Sequence, residues 1–160
     1  AEVIGKDPSA WFKTVIIDKG EADGLTRGLP VVIAQGIAGQ VIEASNHYSK
    51  VMLIIDSNSA VDSLVQRSRA RGVIKGEATD QCRLDYVLRK NDVRIGDTIV
   101  SSGLDGVYPK GLRIGYVSQV IEHDADIFHE VIVTPFVNFE KLEEVLVILE
   151  VQKQDWANRP

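Results

Sequence analysis

One glycine-rich stretch, residues 102–117, constrains the fold more than any other part of the chain. It reads SGLDGVYPKGLRIGYV and places Gly103, Gly106, Gly111 and Gly115 between two runs rich in Val and Ile. Glycine tolerates positive φ and close backbone approach, whereas proline fixes φ and lacks an amide donor. The stretch therefore predicts a structural turn between strands, built on these four glycines, and it argues against a helix.

Short runs of Val, Ile and Thr recur along the chain and are separated by turn-forming residues. β-Branched side chains favour strands, and short strands with regularly spaced turn signals are typical of an all-β barrel or sandwich. Only residues 139–144 have a helical composition. The sequence therefore predicts an all-β chain with little helix, whose main strand candidates are 11–18, 29–34, 37–43, 50–55, 60–66, 72–75, 83–87, 98–101, 114–121, 130–134 and 145–151.

Two segments of the chain resemble each other. Residues 28–41 and 96–117 each contain a glycine, an apolar strand, a second glycine and a strand that opens Gly-polar-Val, and the second copy carries a longer insertion. The repeat predicts two small, related, six-stranded β-barrels in tandem, because closure removes exposed strand edges. The expected division is a first barrel at 11–79, a second at 80–150 and a tail at 151–160. Residues 1–10 are expected to be able to pair with the last strand, which would make the first barrel an insertion within the second.

Composition excludes several functional classes. The formal net charge is −5 and the isoelectric point about 5.2, a balance that argues against a general nucleic-acid binder. Cys82 is the only cysteine, so neither an intrachain disulfide nor a cysteine-rich metal site is expected. No apolar run approaches the roughly 20 residues of a membrane helix, and no signal peptide is recognisable. We expect the chain to be the soluble fragment of a longer protein.

Four stretches in one order resemble the bacterial rod shape-determining family MreC. They are residues 102–117, residues 7–20 with DPSAWFKT and IDKG, residues 65–72 with VQRSRARG, and residues 142–149 with LEEVLVIL. The resemblance covers roughly residues 1 to 150. It implies two small β-barrels that lie in the periplasm, or outside the cytoplasmic membrane generally, and are anchored by a preceding membrane helix.

The resemblance also implies a function. The chain would be a non-enzymatic scaffold that holds the cell-wall elongation machinery together and maintains rod cell shape, with no cofactor and no metal. The implied partners are the elongation-specific penicillin-binding transpeptidase, the membrane proteins MreD and RodA and, across the membrane, the actin-like MreB filament. It would favour the active conformation of the transpeptidase by population shift, and it would self-associate.

The tip of the glycine-rich stretch is the candidate partner-binding site. Val107, Tyr108 and Pro109 are apolar, and such residues are costly to expose at a loop tip unless something covers them. They either pack on the barrel or anchor a partner, as aromatic residues do at interface hot spots. Trp11, Phe12, Phe136 and Phe139 present the same choice, and for each of them core packing is favoured.

A hydrolase is the alternative from another functional class. Paired small β-barrels also build serine proteases, and His47 and Asp56 with Ser101 or Ser102 could supply a triad. The residues around Ser101 contain no recognisable oxyanion-hole loop. The bland interpretation places His47 in a polar turn and lets Asp56 cap the next turn.

Two further clusters suggest binding chemistry. Alternating arginines would share one face of a strand and could hold phosphate or carboxylate groups, which would make the chain an anion- or nucleic-acid-binding barrel. The other interpretation is a solvated strand edge whose charge discourages aggregation, and the family resemblance favours this structural role. A His/Asp cluster has ligand types that metals use, but its spacing matches no strong metal motif. These residues are Arg67, Arg69 and Arg71 for the first cluster, and His123, Asp124, Asp126 and His129 for the second.

Overall fold

The structure, a computed structural model, describes residues 1–7, 9, 12–122 and 127–149. These residues form twelve β-strands and two single 3₁₀ turns, Glu21–Asp23 and Phe139–Lys141, so the prediction of an all-β chain with little helix is confirmed. The described part contains no helix with the length and hydropathy to cross a bilayer. The strands are β1 Val3–Lys6, β2 Thr14–Ile17, β3 Pro30–Ile33, β4 Gly36–Ala44, β5 Ser49–Leu53, β6 Ala60–Val65, β7 Arg71–Gly76, β8 Cys82–Asp85, β9 Thr98–Ser101, β10 Arg113–Ile121, β11 Glu130–Pro135 and β12 Leu146–Val147.

The strands form two six-stranded sheets, of which one is a closed barrel. The closed barrel runs β10-β11-β8-β7-β6-β9, and every neighbouring pair in it is antiparallel. The other sheet, here the curled sheet, runs β1-β2-β5-β4-β3-β12, and a single isolated bridge between Glu2 and Glu144 joins its two edges. The expectation of two closed cylinders is therefore correct for one sheet only.

The division of the chain differs from the predicted one. Strands β6 and β7, which lie before residue 79, pair with β9 and β8 in the closed barrel, so a boundary between 79 and 80 would cut through that barrel. The closed barrel occupies residues 60–135 and is inserted between β5 and β12 of the curled sheet. Long-range pairing of strand edges decides this membership, and the local pattern carries no signal for it. The predicted tail, 151–160, lies outside the described residues.

The N-terminal residues join the curled sheet, not the closed barrel. Strand β1 pairs with β2, and the Val3 amide donates to the carbonyl of Glu143 at 2.8 Å. The expected pairing of the first ten residues with the C-terminal strand region is thus present, but the insertion runs in the opposite sense to the predicted one.

The internal repeat has a clear structural counterpart in the two sheets. Gly28 and Gly96 have φ values of +97° and +92°, and their amides donate to the carbonyls of Val41 and Val117 at 2.7 and 2.8 Å. Both long strands, β4 and β10, also shift register just after these valines. The repeat therefore relates residues 28–41 to residues 96–117 by the same turn, strand pairing and bulge.

Gly115 is not a turn residue. It lies in β10, and an added Cβ would overlap the Thr134 carbonyl oxygen of β11. Gly39 in β4 has the same relation to the Met52 carbonyl of β5. The prediction of a turn at Gly115 is therefore wrong, and close backbone approach is what requires glycine at both repeat positions.

Candidate functional site: a docking surface on the closed barrel

The glycine-rich stretch forms the connection from β9 to β10. Gly103, Gly106 and Gly111 have φ values of +78°, +73° and +84°, which only glycine adopts without strain. The Asp105 carboxylate accepts the amides of Val107 and Tyr108 within this connection. Its other oxygen accepts the Asp62 amide of β6 at 3.2 Å, which fastens the loop to a neighbouring strand.

Tyr108 is part of the core and not of the surface. Its side chain is only 2% exposed within the main hydrophobic cluster, and burial raises the pKa of its phenol above the usual value. Val107 and Pro109 are half-buried, and Val107 packs against the same cluster. The interpretation of this tip as a partner anchor is wrong for Tyr108, because a buried ring has no surface to offer. The exposed apolar residue of the loop is Leu104.

The candidate residues of the hypothetical hydrolase triad form hydrogen bonds with other groups and not with one another. The Ser101 hydroxyl is buried, donates to the Pro109 carbonyl at 2.6 Å and accepts the Leu112 amide at 2.9 Å. Buried Asp56 accepts the amides of Lys13 and Asn58.

The remaining two candidates, His47 and Ser102, also have other contacts. His47 lies exposed in the turn after β4, and its ring contacts the side chain of Asn46. The Ser102 hydroxyl accepts the Leu104 amide at 3.1 Å within the loop. Among these described residues no hydrogen bond joins the histidine, the aspartate and a serine, so the serine-hydrolase hypothesis has no geometric basis.

The arginines do not form a shared row. Arg67 and Arg69 lie in the turn between β6 and β7, and Arg71 opens β7. Arg67 donates through two nitrogens to the Asp97 carboxylate, at 2.8 and 2.9 Å, and pairs with Asp92 at 2.7 Å. The anions that Arg67 binds are thus carboxylates of this chain, which favours the structural interpretation of this arginine over the alternative of an anion-binding face.

The ion pair between Arg67 and its two aspartates shifts the pKa of all three groups. Hydrogen bonds from Arg67 hold the pKa of Asp97 and of Asp92 below their usual values, and the same bonds raise the pKa of Arg67. The Asp97 carboxylate also accepts the Arg94 amide at 2.8 Å. The network therefore fastens the β6–β7 turn to the segment that enters β9.

The hypothetical metal cluster is not assembled in the part of the chain that can be described. Residues 123–126, which include His123, Asp124 and Asp126, lie outside the described residues. Buried His129 lies 4.0 Å from the Glu122 carboxylate. The described ranges contain no group of three or more His, Cys, Asp or Glu side chains that could hold a metal ion.

The surface that best fits docking is an aromatic patch of four residues on the closed barrel: Tyr86, Leu88, Ile127 and Phe128. The exposed fractions of the first three are 55%, 36% and 68%. An isolated bridge pairs Leu88 with Phe128, and the Phe128 ring meets the Tyr86 ring edge-on at a centroid distance of 6.0 Å. Phe128 thus links Tyr86 and Leu88, and exposed Ile127 is its neighbour in the sequence.

Tyr86 is held in an unusual conformation. Its φ is +66°, in the left-handed region that costs a non-glycine residue of order 1–2 kcal/mol. The Lys75 ammonium lies 5.2 Å from the centroid of its ring and 3.3 Å from its hydroxyl. A strained backbone persists only where its surroundings determine it, and here the Tyr86 ring is exposed and contacts Lys75 and Phe128.

The sequence contains a local signal for the aromatic patch, which was not singled out in the sequence analysis. Tyr86, Val87 and Leu88 form an apolar run of three directly after β8. Val87 is fully buried, and its carbonyl accepts the His129 amide at 2.9 Å. Tyr86 and Leu88 on either side of it are exposed, so only the middle residue of this run enters the core.

Comparison with known proteins identifies the family. The family model described as "Rod shape-determining protein MreC, barrel core" matches residues 3–149. The chain belongs to the MreC family. The cell shape-determining protein MreC of Escherichia coli K12 is 35% identical over 120 residues, which cover 74% of this chain and 33% of that protein. MreC of Haemophilus influenzae is 31% identical over 149 residues, which cover 92% and 42%.

Solved MreC structures have the same fold. The crystal structure of MreC from Pseudomonas aeruginosa has a TM-score of 0.89 and 33% identity and covers 92% of this chain and 96% of that chain. MreC of Helicobacter pylori, solved in a complex with Penicillin-Binding Protein (PBP2), has a TM-score of 0.64 over 82% of each chain. Its identity is 16%, so this likeness shows the fold alone.

Membership in MreC places the chain among cell shape-determining proteins. The chain spans 33% to 42% of the length of the two curated relatives described above. The stretch at 102–117 that resembled the family builds the β9–β10 connection and fills the core. The family resemblance therefore rests on residues that make the fold, whereas the aromatic patch lies elsewhere.

Proposed function

We propose that this MreC-family chain is a non-enzymatic scaffold of the cell-wall elongation complex that maintains rod cell shape. The family carries the proposal, together with the Helicobacter pylori relative that forms a complex with a penicillin-binding protein. By the same reasoning it acts outside the cytoplasmic membrane. It works alongside the elongation transpeptidase, MreD and RodA, and is linked across the membrane to MreB.

The aromatic patch is the surface we assign to the transpeptidase. Exposed aromatic and aliphatic residues that are fixed in place lose little conformational entropy on binding, and such anchors dominate the energy of protein interfaces. The Tyr86 ring is already oriented by Phe128 and Lys75. The partner surface that fits here is an apolar pocket with acceptors for the Lys75 ammonium and the Tyr86 hydroxyl.

Activation follows from binding if the transpeptidase exists in two conformations. A scaffold that binds one of them more tightly shifts the population toward it by its differential affinity, without any covalent chemistry. The closed barrel is a suitable rigid support for such selection, because all its strands are paired. Catalytic groups on this chain are not needed for the effect.

Two substitutions test the patch: Ile127→Asp and Tyr86→Ala. Ile127 is 68% exposed, so the aspartate should leave the thermal midpoint unchanged while it introduces a charge that the apolar pocket must desolvate. We expect affinity for the extracytoplasmic part of the transpeptidase to fall by about 30-fold or more, the size of a hot spot. Transpeptidase turnover stimulated by the wild-type chain should fall in parallel.

A matched control uses another exposed tyrosine. Tyr48 is 53% exposed in the turn between β4 and β5 of the curled sheet, away from the aromatic patch in the fold. Tyr48→Asp should bind the transpeptidase like the wild type. Equal affinity of the wild type, Ile127→Asp and Tyr86→Ala would remove the patch from the proposal. Loss of binding with all three variants would point to a nonspecific effect of surface substitution.

Self-association is a separate part of the proposal. The exposed apolar residues of the two sheets give copies of the chain surfaces through which to meet. Sedimentation over a hundredfold range of concentration measures it directly. A constant monomeric mass at every concentration would contradict this part of the proposal.

A further inference from the structure

The segment that leads into β9 has a counterpart in the curled sheet. This β9 lead-in is residues 88–97, and its counterpart before β3 is residues 20–29. Besides the turns at Gly96 and Gly28, two backbone hydrogen bonds match in position and length. The amides of Asn91 and Asp23 donate at 2.9 Å to the carbonyls of Leu88 and Gly20, and those of Arg89 and Glu21 donate at 2.8 Å to the carbonyls of Ile127 and Ser45. The two segments therefore correspond position by position.

Ile95 is the position at which the two segments differ most. It is 71% exposed, the largest exposed fraction among the large hydrophobic side chains of the described residues, and its counterpart is exposed Arg27. Two positions earlier both segments are apolar, because Val93 and Leu25 pack on the core. The shared turn thus uses one apolar residue for packing and accepts an arginine at the position of Ile95. The fold therefore does not explain an exposed isoleucine there.

The backbone on both sides of Ile95 is held by hydrogen bonds. The Arg94 amide donates to the Asp97 carboxylate at 2.8 Å, and the Gly96 amide donates to a β10 carbonyl at 2.8 Å. Asp97 is fixed in turn by its two hydrogen bonds from Arg67. Groups on a backbone that is already ordered lose less entropy on binding, so Ile95 is suited to a place in an interface.

The aromatic patch lies at the other end of the same segment. Leu88, the first residue of the β9 lead-in, belongs to the patch, and the Arg89 amide donates to the carbonyl of the patch residue Ile127. Both ends of the β9 lead-in are thus attached to the hairpin of β10 and β11, one through Arg89 and the other through Gly96. The segment therefore runs along this hairpin from the patch to Ile95.

The β9 lead-in also presents positive charge, in a chain whose net charge is −5. Its two carboxylates, Asp92 and Asp97, both pair with Arg67 of the β6–β7 turn. Exposed Lys90 forms no ion pair with any described residue, and its counterpart in the curled sheet is Ala22. A carboxylate of a partner that approached Lys90 would therefore meet a cation that the fold does not use.

We propose that the docking surface continues from the aromatic patch along the β9 lead-in to Ile95, and that the transpeptidase presents there an apolar contact for Ile95 and a carboxylate for Lys90. The inference rests on the proposed function, in which the transpeptidase binds the aromatic patch. A protein surface fits better here than an anionic bilayer. The side chain of Glu122 is 63% exposed and lies 4.0 Å from His129, the residue after Phe128 of the patch, so anionic headgroups would repel it.

Two substitutions test the extension separately from the patch. Ile95→Asp should lower the affinity for the extracytoplasmic part of the transpeptidase by about tenfold or more, because a charge replaces an apolar contact. Lys90→Ala, which copies the counterpart residue Ala22, should lower it about twofold to fivefold and make it less sensitive to salt. Both residues are exposed, so the thermal midpoint should not change.

Arg27→Asp is the matched control. Arg27 is exposed at the position of the curled sheet that corresponds to Ile95, so the same aspartate enters the same turn in the other copy. This variant should bind the transpeptidase with the affinity of the wild type.

Ile127→Asp separates a failure of the extension from a failure of the proposed function. Unchanged affinity with Ile95→Asp and Lys90→Ala, while Ile127→Asp weakens binding, would overturn the extension and leave the patch in place. Unchanged affinity with all three variants would remove the transpeptidase site itself, and the extension with it. If the chain bound vesicles of phosphatidylglycerol and phosphatidylethanolamine, and Ile95→Asp abolished that binding without changing the affinity for the transpeptidase, the proposal would be overturned in favour of a bilayer.

Discussion

The closed barrel and the curled sheet are two versions of one strand arrangement, and they differ at two places. The connection between the repeat-related strands is only residues 34–35 in the curled sheet but residues 102–112 in the closed barrel. The closed barrel is also closed by the β6–β7 pairing, whereas the two edges of the curled sheet meet at the bridge between Glu2 and Glu144. The Asp105 carboxylate of the long connection accepts the Asp62 amide of β6, the strand whose pairing with β7 closes the barrel. The longer connection is therefore physically linked to the strands that close the barrel.

The two copies also use different chemistry at equivalent positions. Asp97 in the closed barrel binds Arg67, and its repeat counterpart in the curled sheet is Leu29, which is packed against the core. An ion pair thus replaces an apolar contact where the closed barrel must fasten the β6–β7 turn. The difference teaches that the closed barrel adds a few polar contacts, between Asp97 and Arg67 and between Asp105 and the Asp62 amide, to an apolar frame that both sheets share.

The largest expected effect tests whether the two copies are truly equivalent. Gly115→Ala and Gly39→Ala should each destabilise the chain by about 4 kcal/mol or more, because the new Cβ overlaps a backbone carbonyl of the adjacent strand. Chemical denaturation measures both. Gly106→Ala is the matched control, with open space around its Cβ and a φ of +73°, and should cost about 1–2 kcal/mol. If only one of the two substitutions, Gly115→Ala or Gly39→Ala, destabilised the chain strongly, the two positions would not be structurally equivalent.

The next effect concerns the long connection that only the closed barrel has. Tyr108→Ala should cost about 3–5 kcal/mol in unfolding free energy, because it removes a buried aromatic ring from the core. Leu104→Ala in the same loop should cost less than about 0.5 kcal/mol, since Leu104 is 67% exposed. Thermal and urea melts distinguish the two. Equal, small losses would mean that the loop does not fill the closed barrel.

The smallest effect concerns the ion pair at Asp97. Its pKa is lowered in the folded state, so its contribution to stability is present above the unfolded value near 3.8 and is lost as pH falls through the lower folded value. Asp97→Asn should cost about 1–2 kcal/mol at pH 7. The gap between variant and wild type should close as the pH falls below 3.8 toward the folded pKa. Urea melts at pH 7 and at acid pH measure it, and a gap that widens in acid would contradict the assignment.

Local features of the sequence allowed the strands, the scarcity of helix and the repeat to be predicted. Val and Ile runs with turn residues between them identify strands, and Gly28 and Gly96 mark the same turn in both copies. Exposure was harder to predict. Tyr108 lies in a loop whose composition suggests a surface, yet its ring is buried, whereas Tyr86 adjoins a strand and is exposed.

The sequence by itself determined that this chain is an all-β protein of two related halves, because glycine conformation and β-branched side chains act on the residue that carries them and on its neighbours. Only the tertiary structure decided which edges meet. Strand β6 finds β9 across more than thirty positions, and β1 meets the C-terminal segment across the whole chain. Such pairings depend on the free energy of assembling distant segments, so no local pattern encodes which of the two sheets forms a closed barrel.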